Sequence, residues 1–291
     1  MIKSNLPFIF KLDLVSYISN RNEILKDISL QVGPNEKWFI LGNNGSGKST
    51  LLDVLLDNIK ASGNIQNNMP KKDKIGLMLD GYPFSNILKV KEIIKQYRLL
   101  YSITEEVDHS IYEILELDRI KNKQIGKLST GEKKRVGLFT ALFHFPELLI
   151  LDEPMSGIDP NSQFKIHKLI FDFPRTVLIA SHDWEAAKKF ADKVFFIYKG
   201  KQLFDNGISV NTLLSERYIP FKEKLVIQEG EIEDLSKVYS KVDLYLKYDQ
   251  QIMLFGFDEE LISWLNENDI IFTRTQKSLN DVYYYLIKNE S

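Results

Sequence analysis

The run Gly42-Asn43-Asn44-Gly45-Ser46-Gly47-Lys48-Ser49-Thr50 fits the pattern G-x-x-x-x-G-K-[ST] in full. Its chemistry is phosphate binding. The glycines let the backbone curl until its N–H groups face an anion. A helix starting at the end of the loop adds free N–H groups and a positive dipole end. Lys48 is then placed for the β- and γ-phosphates of a nucleotide, and Ser49 for Mg²⁺. A second group lies about a hundred residues on. There Leu148-Leu149-Ile150-Leu151 leads into Asp152-Glu153. An acid at a strand end can hold Mg²⁺ through water, which is the role expected of Asp152. Glu153, one residue on, is expected to orient and deprotonate an attacking water. The phosphate loop by itself does not separate a transport ATPase from a kinase or a GTPase.

These groups need strands that end where loops begin. Ile28 to Val32 and Lys37 to Leu41 read as strands around a Gly33-Pro34-Asn35 turn. Lys48 to Asn58 reads as a helix apolar on most sides, hence buried. Ile75 to Leu79 is a short strand, and residues 87–145 are mostly helical by pattern. Leu148 to Leu151, Thr176 to Ala180 and Val194 to Tyr198 are continuous apolar runs, the pattern of strands covered on both faces. Helices at about 161–171 and 184–191 alternate with them, which points to a mostly parallel, helix-covered sheet. The pattern changes near Gly207. Beyond it come strand-like runs at Lys224 to Gln228, Val242 to Tyr248, Ile252 to Phe257 and Ile270 to Thr273. Helical stretches at about 258–267 and 279–288 complete a small α+β domain.

The chain has 291 residues and a net charge of −2, unevenly spread. Residues 211–291 carry 9 basic and 15 acidic side chains, a net −6, while residues 1–210 carry +4. An acidic tail and no strongly basic face argue against nucleic acid as a partner. There is no cysteine, so disulfides and thiolate metal sites are excluded and a reducing compartment fits. The longest largely apolar run, Val136 to Pro146, is too short to cross a bilayer. Action on a membrane would need a partner that supplies the span.

Residues 128–135, Leu-Ser-Thr-Gly-Glu-Lys-Lys-Arg, resemble the signature motif of the ABC (ATP-binding cassette) family, usually LSGGQ followed by basic residues. Met155-Ser156-Gly157-Ile158-Asp159 resembles that family's D-loop, and Ser181-His182-Asp183 its switch-histidine loop. The motifs stand in the family's order, and the resemblance covers about residues 8–206. It implies an α/β P-loop cassette at 1–208, with a mainly parallel core, an antiparallel β part and a helical subdomain at about 87–145. The α+β domain at 209–291 follows. It implies ATP and Mg²⁺ as ligands and hydrolysis of ATP. Ser129 and Gly131 are implied to reach the γ-phosphate of ATP held by a second subunit, identical or not. Asp159 is implied to contact that subunit's phosphate loop. His182 is implied to bond the γ-phosphate and the attacking water. A separate integral membrane permease is the implied partner, with the chain on the cytoplasmic face of the membrane. Ser129-x-x-Glu132 is also a helix capping box, and the two readings are compatible.

The sequence departs from the family in places. Asp80 stands where a glutamine usually links Mg²⁺ to the permease-contacting helices; a carboxylate can still ligate the ion. Thr130 replaces the first signature glycine and Glu132 the glutamine, leaving Ser129 and Gly131 intact. Ser19 aligns with the usual adenine-stacking aromatic, and Tyr17 two residues earlier could share its side of a strand. Tyr17 is therefore either the stacking residue or a core side chain. Ser278-Leu279-Asn280-Asp281-Val282-Tyr283 resembles the tail of exporter-type ATPases; its other reading is an amphipathic terminal helix. A soluble ABC ATPase acting on DNA, ribosomes or cofactor assembly is the competing function. No long heptad insertion or second cassette favours it. Asp80→Gln is expected to retain ATPase activity in a phosphate-release assay, whereas complete loss would show that the carboxylate itself is needed.

Overall fold

The computed structural model describes residues 7–79, 84–103, 105–232 and 235–290. The chain forms two compact units, Met1–Gly207 and Ile208–Ser291. Unit one opens with long antiparallel strands β1 (Phe10–Ser19) and β2 (Asn22–Val32), then β3 (Lys37–Leu41) and helix α1 (Lys48–Leu55). β4 (Ser62–Asn67) and β5 (Ile75–Met78) precede helices α2 (Val90–Tyr101), α3 (Glu105–Ile114) and α4 (Thr130–Leu142). The unit then alternates β6 (Leu148–Asp152), α5 (Pro160–Phe171), β7 (Thr176–Ser181), α6 (Trp184–Phe190), β8 (Lys193–Tyr198) and the short β9 (Lys201–Gln202).

Among the described residues these strands make one nine-stranded sheet in the order β4-β1-β2-β9-β8-β3-β7-β6-β5. β5, β6, β7, β3 and β8 run parallel, and β1 pairs antiparallel with β2 and β4. The apolar runs explain the parallel half: every residue of β6 and β7 is buried, as strands covered on both faces must be. α1 is buried through Leu51, Leu52, Val54 and Leu55, which join the cluster of Leu25, Ile28, Ile150 and Phe195. β4 was not legible as a strand. All its residues are exposed, so no apolar alternation marks it; it is held by backbone pairing to β1 at the sheet edge. β2 begins at Asn22 rather than Ile28; Asn22, Glu23, Lys26 and Asp27 are exposed, so its first half carries too little apolar alternation to mark a strand. α4 is buried from Lys134 through Leu142, and Phe139 and Phe143 stack at 5.2 Å on it.

Unit two adds α7 (Val210–Leu214), β10 (Glu223–Gln228), α8 (Ser236–Tyr239), β11 (Leu244–Tyr248), β12 (Gln251–Phe255), α9 (Glu259–Glu267), β13 (Phe272–Gln276) and α10 (Leu279–Glu290). Its sheet is antiparallel, ordered β11-β12-β10-β13. Leu225, Ile227, Leu254, Leu261 and Leu265 form its core.

The tail motif has a structural role here. Ser278 and Asp281 make a reciprocal capping box at the start of α10. The Ser278 N–H donates to Asp281 Oδ2 at 2.7 Å, and the Asp281 N–H donates to Ser278 Oγ at 3.3 Å. The same carboxylate accepts from the buried Lys224 ammonium at 2.7 and 2.8 Å and from the Tyr248 hydroxyl. Burial first, and the Asp281 charge second, push the Tyr248 phenol well above its usual range. Asp281 is fully buried, so its removal strands a buried cation. Asp281→Ala is expected to lower the unfolding free energy by about 3–5 kcal/mol, read as a shift in the urea midpoint of unit two's tyrosine signal.

Candidate functional site

β3 and β7 pair with Leu41 opposite Ser181, and β6 and β7 pair with Asp152 opposite Ala180. Three neighbouring parallel strands therefore end level. The phosphate loop, the Asp152-Glu153 pair and Ser181-His182 leave the sheet side by side. Ligands bind in α/β sheets at such carboxyl ends.

The loop itself is shaped by its glycines. Gly45 and Gly47 hold φ of 75° and 110°, values that a side chain disfavours. Gly47 is the N-cap of α1 with no side-chain acceptor on it, so the helix N–H groups are left to a ligand. Gly42 is needed for closeness: a Cβ there would lie 2.2 Å from the Ile197 carbonyl oxygen on β8. Lys48 is buried. Its ammonium donates to the carbonyls of Gly42 at 2.8 Å and Asn43 at 3.2 Å, and lies 3.7 Å from Glu153 Oε1. Burial lowers its pKa, and the Glu153 and Asp152 charges oppose that without reversing it.

Glu153 stands in left-handed backbone, φ 46°, with its N–H bonded to the Ala180 carbonyl at 2.9 Å. That turn swings its carboxylate away from the strand line and over the loop. His182 Nδ1 is 2.9 Å from Glu153 Oε2, and the Ser181 hydroxyl donates to the same oxygen at 3.4 Å. Asp152 is buried at the end of β6. Lys134 on α4 donates to the Asp152 carbonyl at 3.2 Å.

A cavity of about 680 Å³ collects these groups. Asn44, Gly45, Gly47, Lys48, Ser49 and Thr50 line one side; Asp152, Glu153, His182, Thr130, Lys134, Ser156 and Ile24 complete it. A larger groove of about 1010 Å³ runs along α2, but it holds neither the phosphate loop nor the paired acids. Gly42, Asn43 and Ser46 shape the loop from behind the cavity. Ser129 caps α4: its Oγ accepts from the Glu132 N–H at 3.2 Å, and Glu132 accepts from the Ser129 N–H at 2.9 Å. Gly131 is pressed on the D-loop, where a Cβ would meet the Gly157 carbonyl oxygen at 2.2 Å. Asp159 caps α5 through the Ser162 N–H at 3.0 Å and takes the Arg135 guanidinium at 2.9 Å. Those bonds, Ser162 foremost, hold its carboxyl below the usual range. Tyr17 packs on the unit's core cluster and does not line the cavity; Ile24 does. Asp80 lies outside the described residues.

Sequence reasoning missed Ile24, Lys134, Ser156 and the Arg135–Asp159 pair. The run Lys133-Lys134-Arg135 was the available signal, and only its basic character was legible.

The profile of the family described as ABC transporter matches residues 25–156. The zinc import ATP-binding protein ZnuC of Psychrobacter cryohalolentis is 32% identical over 203 residues, covering 67% of this chain and 82% of that one. The chain belongs to the ABC transporter family of ATP-binding proteins. The bacitracin transport ATP-binding protein BcrA of Bacillus licheniformis is 28% identical, over 89% of this chain and 91% of its own. The structure of cbiO1 from Clostridium perfringens, part of the ABC transporter complex cbiONQ, superposes with a TM-score of 0.58 at 27% identity. It covers 73% of this chain and 92% of that one. The cassette binds ATP, as its family does, and no helix among its described residues is long and apolar enough to cross a membrane.

Gly42→Ala in this cassette places a methyl against β8 backbone, and such overpacking costs about 1–3 kcal/mol. Titration with a fluorescent ATP analogue is expected to show weaker binding by roughly tenfold; unchanged affinity would mean that β8 yields.

Proposed function

We propose that this chain is the ATP-hydrolysing subunit of a transporter, paired with a second ATPase subunit on a separate membrane permease and powering export. The observation that carries hydrolysis is the convergence on Glu153. Its carboxylate is held between His182 at 2.9 Å and Lys48 at 3.7 Å at the mouth of the phosphate loop. A base so fixed needs no reorientation when water attacks a terminal phosphate.

In this reading the N–H groups of Gly45 to Lys48 and the start of α1 bind the phosphates of ATP. Lys48 leaves its own loop carbonyls for the β- and γ-phosphate oxygens. Glu153 takes a proton from the attacking water, and His182 fixes the carboxylate and bonds the γ-phosphate. Mg²⁺ fits the donor set: Ser49 and Asp152 both line the cavity and offer only oxygen, the ligand type this ion prefers. When bound it neutralises charge on the β- and γ-phosphates. Asp80 is a further candidate for its shell. Ser129 and Gly131 contribute to the second subunit's ATP, and Asp159 faces that subunit. Tyr17 remains a candidate contact for the base of the nucleotide, and Ile24, which lines the cavity, is a second.

Export is supported by the resemblance of Ser278 to Tyr283 to the tail of exporter-type ATPases; the bacitracin transport relative matches 89% of this chain and the zinc import relative 67%. We assign residues 1–208 to the cassette and 209–291 to an accessory domain. The site of work is the cytoplasmic face of the membrane, and nucleic acid is not a substrate.

Glu153→Gln is expected to lower the ATPase rate by about 10²–10⁴-fold while ATP binding persists. Equal rates in the two proteins, measured by phosphate release, would remove Glu153 from the base role. Co-purification of the chain with a polytopic membrane protein tests the transport half.

A further inference from the structure

Of the three basic residues that follow the signature capping box, the last two point inward. Lys134 and Arg135 are both buried, and they reach the two ends of one segment. Lys134 bonds the carbonyl of Asp152, where β6 ends. Arg135 Nη2 donates to Asp159 Oδ2 at 2.9 Å and to Ser162 Oγ at 2.8 Å, where α5 begins. Between those anchors run Glu153 and the D-loop. The middle is clamped as well: a Cβ on Gly131 would meet the Gly157 carbonyl oxygen at 2.2 Å, and Gly157 itself stands in left-handed backbone at φ 76°.

Asp159 is spent on its own chain. Oδ1 accepts from the Ser162 N–H and Oδ2 from Arg135. Arg135 is equally one-sided. Its Nη1 makes no hydrogen bond; the nearest carboxylate, Glu116, is 3.8 Å away and is paired with Arg119 at 2.7 Å. Burying a guanidinium with one nitrogen unbonded costs free energy. The bonds of Nη2 therefore fix position more than they add stability.

We propose that Arg135 is a positioning residue that brackets the D-loop to the first turns of α4, so that Ser129, Gly131 and Asp159 are presented to the second subunit as one rigid edge. This rests on the paired-subunit reading above. A loose D-loop could still leave ATP bound to one chain, because the phosphate loop and Lys48 do not depend on Arg135. It would fail to meet the partner in register.

The test uses the full chain carrying Glu153→Gln. Adding Arg135→Ala is expected to leave ATP affinity at low protein concentration unchanged. ATP-driven association in sedimentation is expected to weaken by about tenfold or more, the scale of one charge-assisted hydrogen bond. Asp159→Asn keeps an N-cap acceptor but loses the charge. It should cause a similar loss, and the double variant no more than either alone. Additive losses, or undiminished association in Arg135→Ala, would overturn the proposal. Hydrogen exchange without nucleotide gives an independent reading. Amides of residues 155–162 should exchange faster in Arg135→Ala while those of β6 and β7 do not, and unchanged exchange at 155–162 would also overturn it. A parent protein that never associates would instead remove the paired-subunit reading, with the exchange result still deciding the bracket.

Discussion

Everything at the site depends on three parallel strands ending at the same level. β3, β7 and β6 are adjacent and in register through Leu41, Ser181, Ala180 and Asp152. A strand slipped by one residue would turn its side chains to the other face, and Asp152 would leave the cavity. Every residue of β6 and β7 is buried, so what marks the register is where these apolar runs end: a slip would draw the polar residues that follow them into the core or push an apolar residue out of it. The hydrophobic core is thus the part that aims the polar groups. The cost appears at Glu153, whose left-handed backbone carries strain on the order of 1–3 kcal/mol. One bond, from its N–H to Ala180, helps hold it there.

The polar groups of the site divide between buried and exposed ones. The α1 N-terminus is a fixed positive end with no side-chain cap. Lys48 is a buried cation beside the Glu153 and Asp152 carboxylates and bonds two backbone carbonyls; Lys134 is buried as well and bonds the Asp152 carbonyl. His182 is exposed, with its side chain 61% accessible. Its ring is nevertheless tied to the Glu153 carboxylate at 2.9 Å. A site whose outermost imidazole is open to solvent while Lys48, Lys134 and Asp152 are buried can take in a ligand from that side without reshaping the strand ends.

Chemistry written in contiguous residues was legible in the sequence. Gly42 to Thr50, Asp152-Glu153 and Ser181-His182-Asp183 are local spacings, and the apolar runs beneath them name the strands that carry them. The two longer helices of unit two were legible in outline because a helical period is also local, whereas the short α7 and α8 and the box at Ser278–Asp281 were not read. Contacts that join distant segments were not. Arg135 meets Asp159 across 24 positions and Lys224 meets Asp281 across 57, and neither separation leaves a pattern in one sequence. The side of β1 that Tyr17 occupies escaped for a different reason. Register shifts between Leu12, Val15, Tyr17 and Ile18 break the alternation on which the expectation for Tyr17 relied.

The lysine of the phosphate loop is already bonded to the loop that carries it, through the carbonyls of Gly42 and Asn43. Binding is then an exchange of partners, and the gain is only a difference between two sets of bonds. A singly charged anion such as chloride offers little beyond what those carbonyls supply, whereas a polyphosphate chain offers several oxygens at once. Discrimination against the abundant small anions of a cell is in this way built into the loop before any nucleotide base is read.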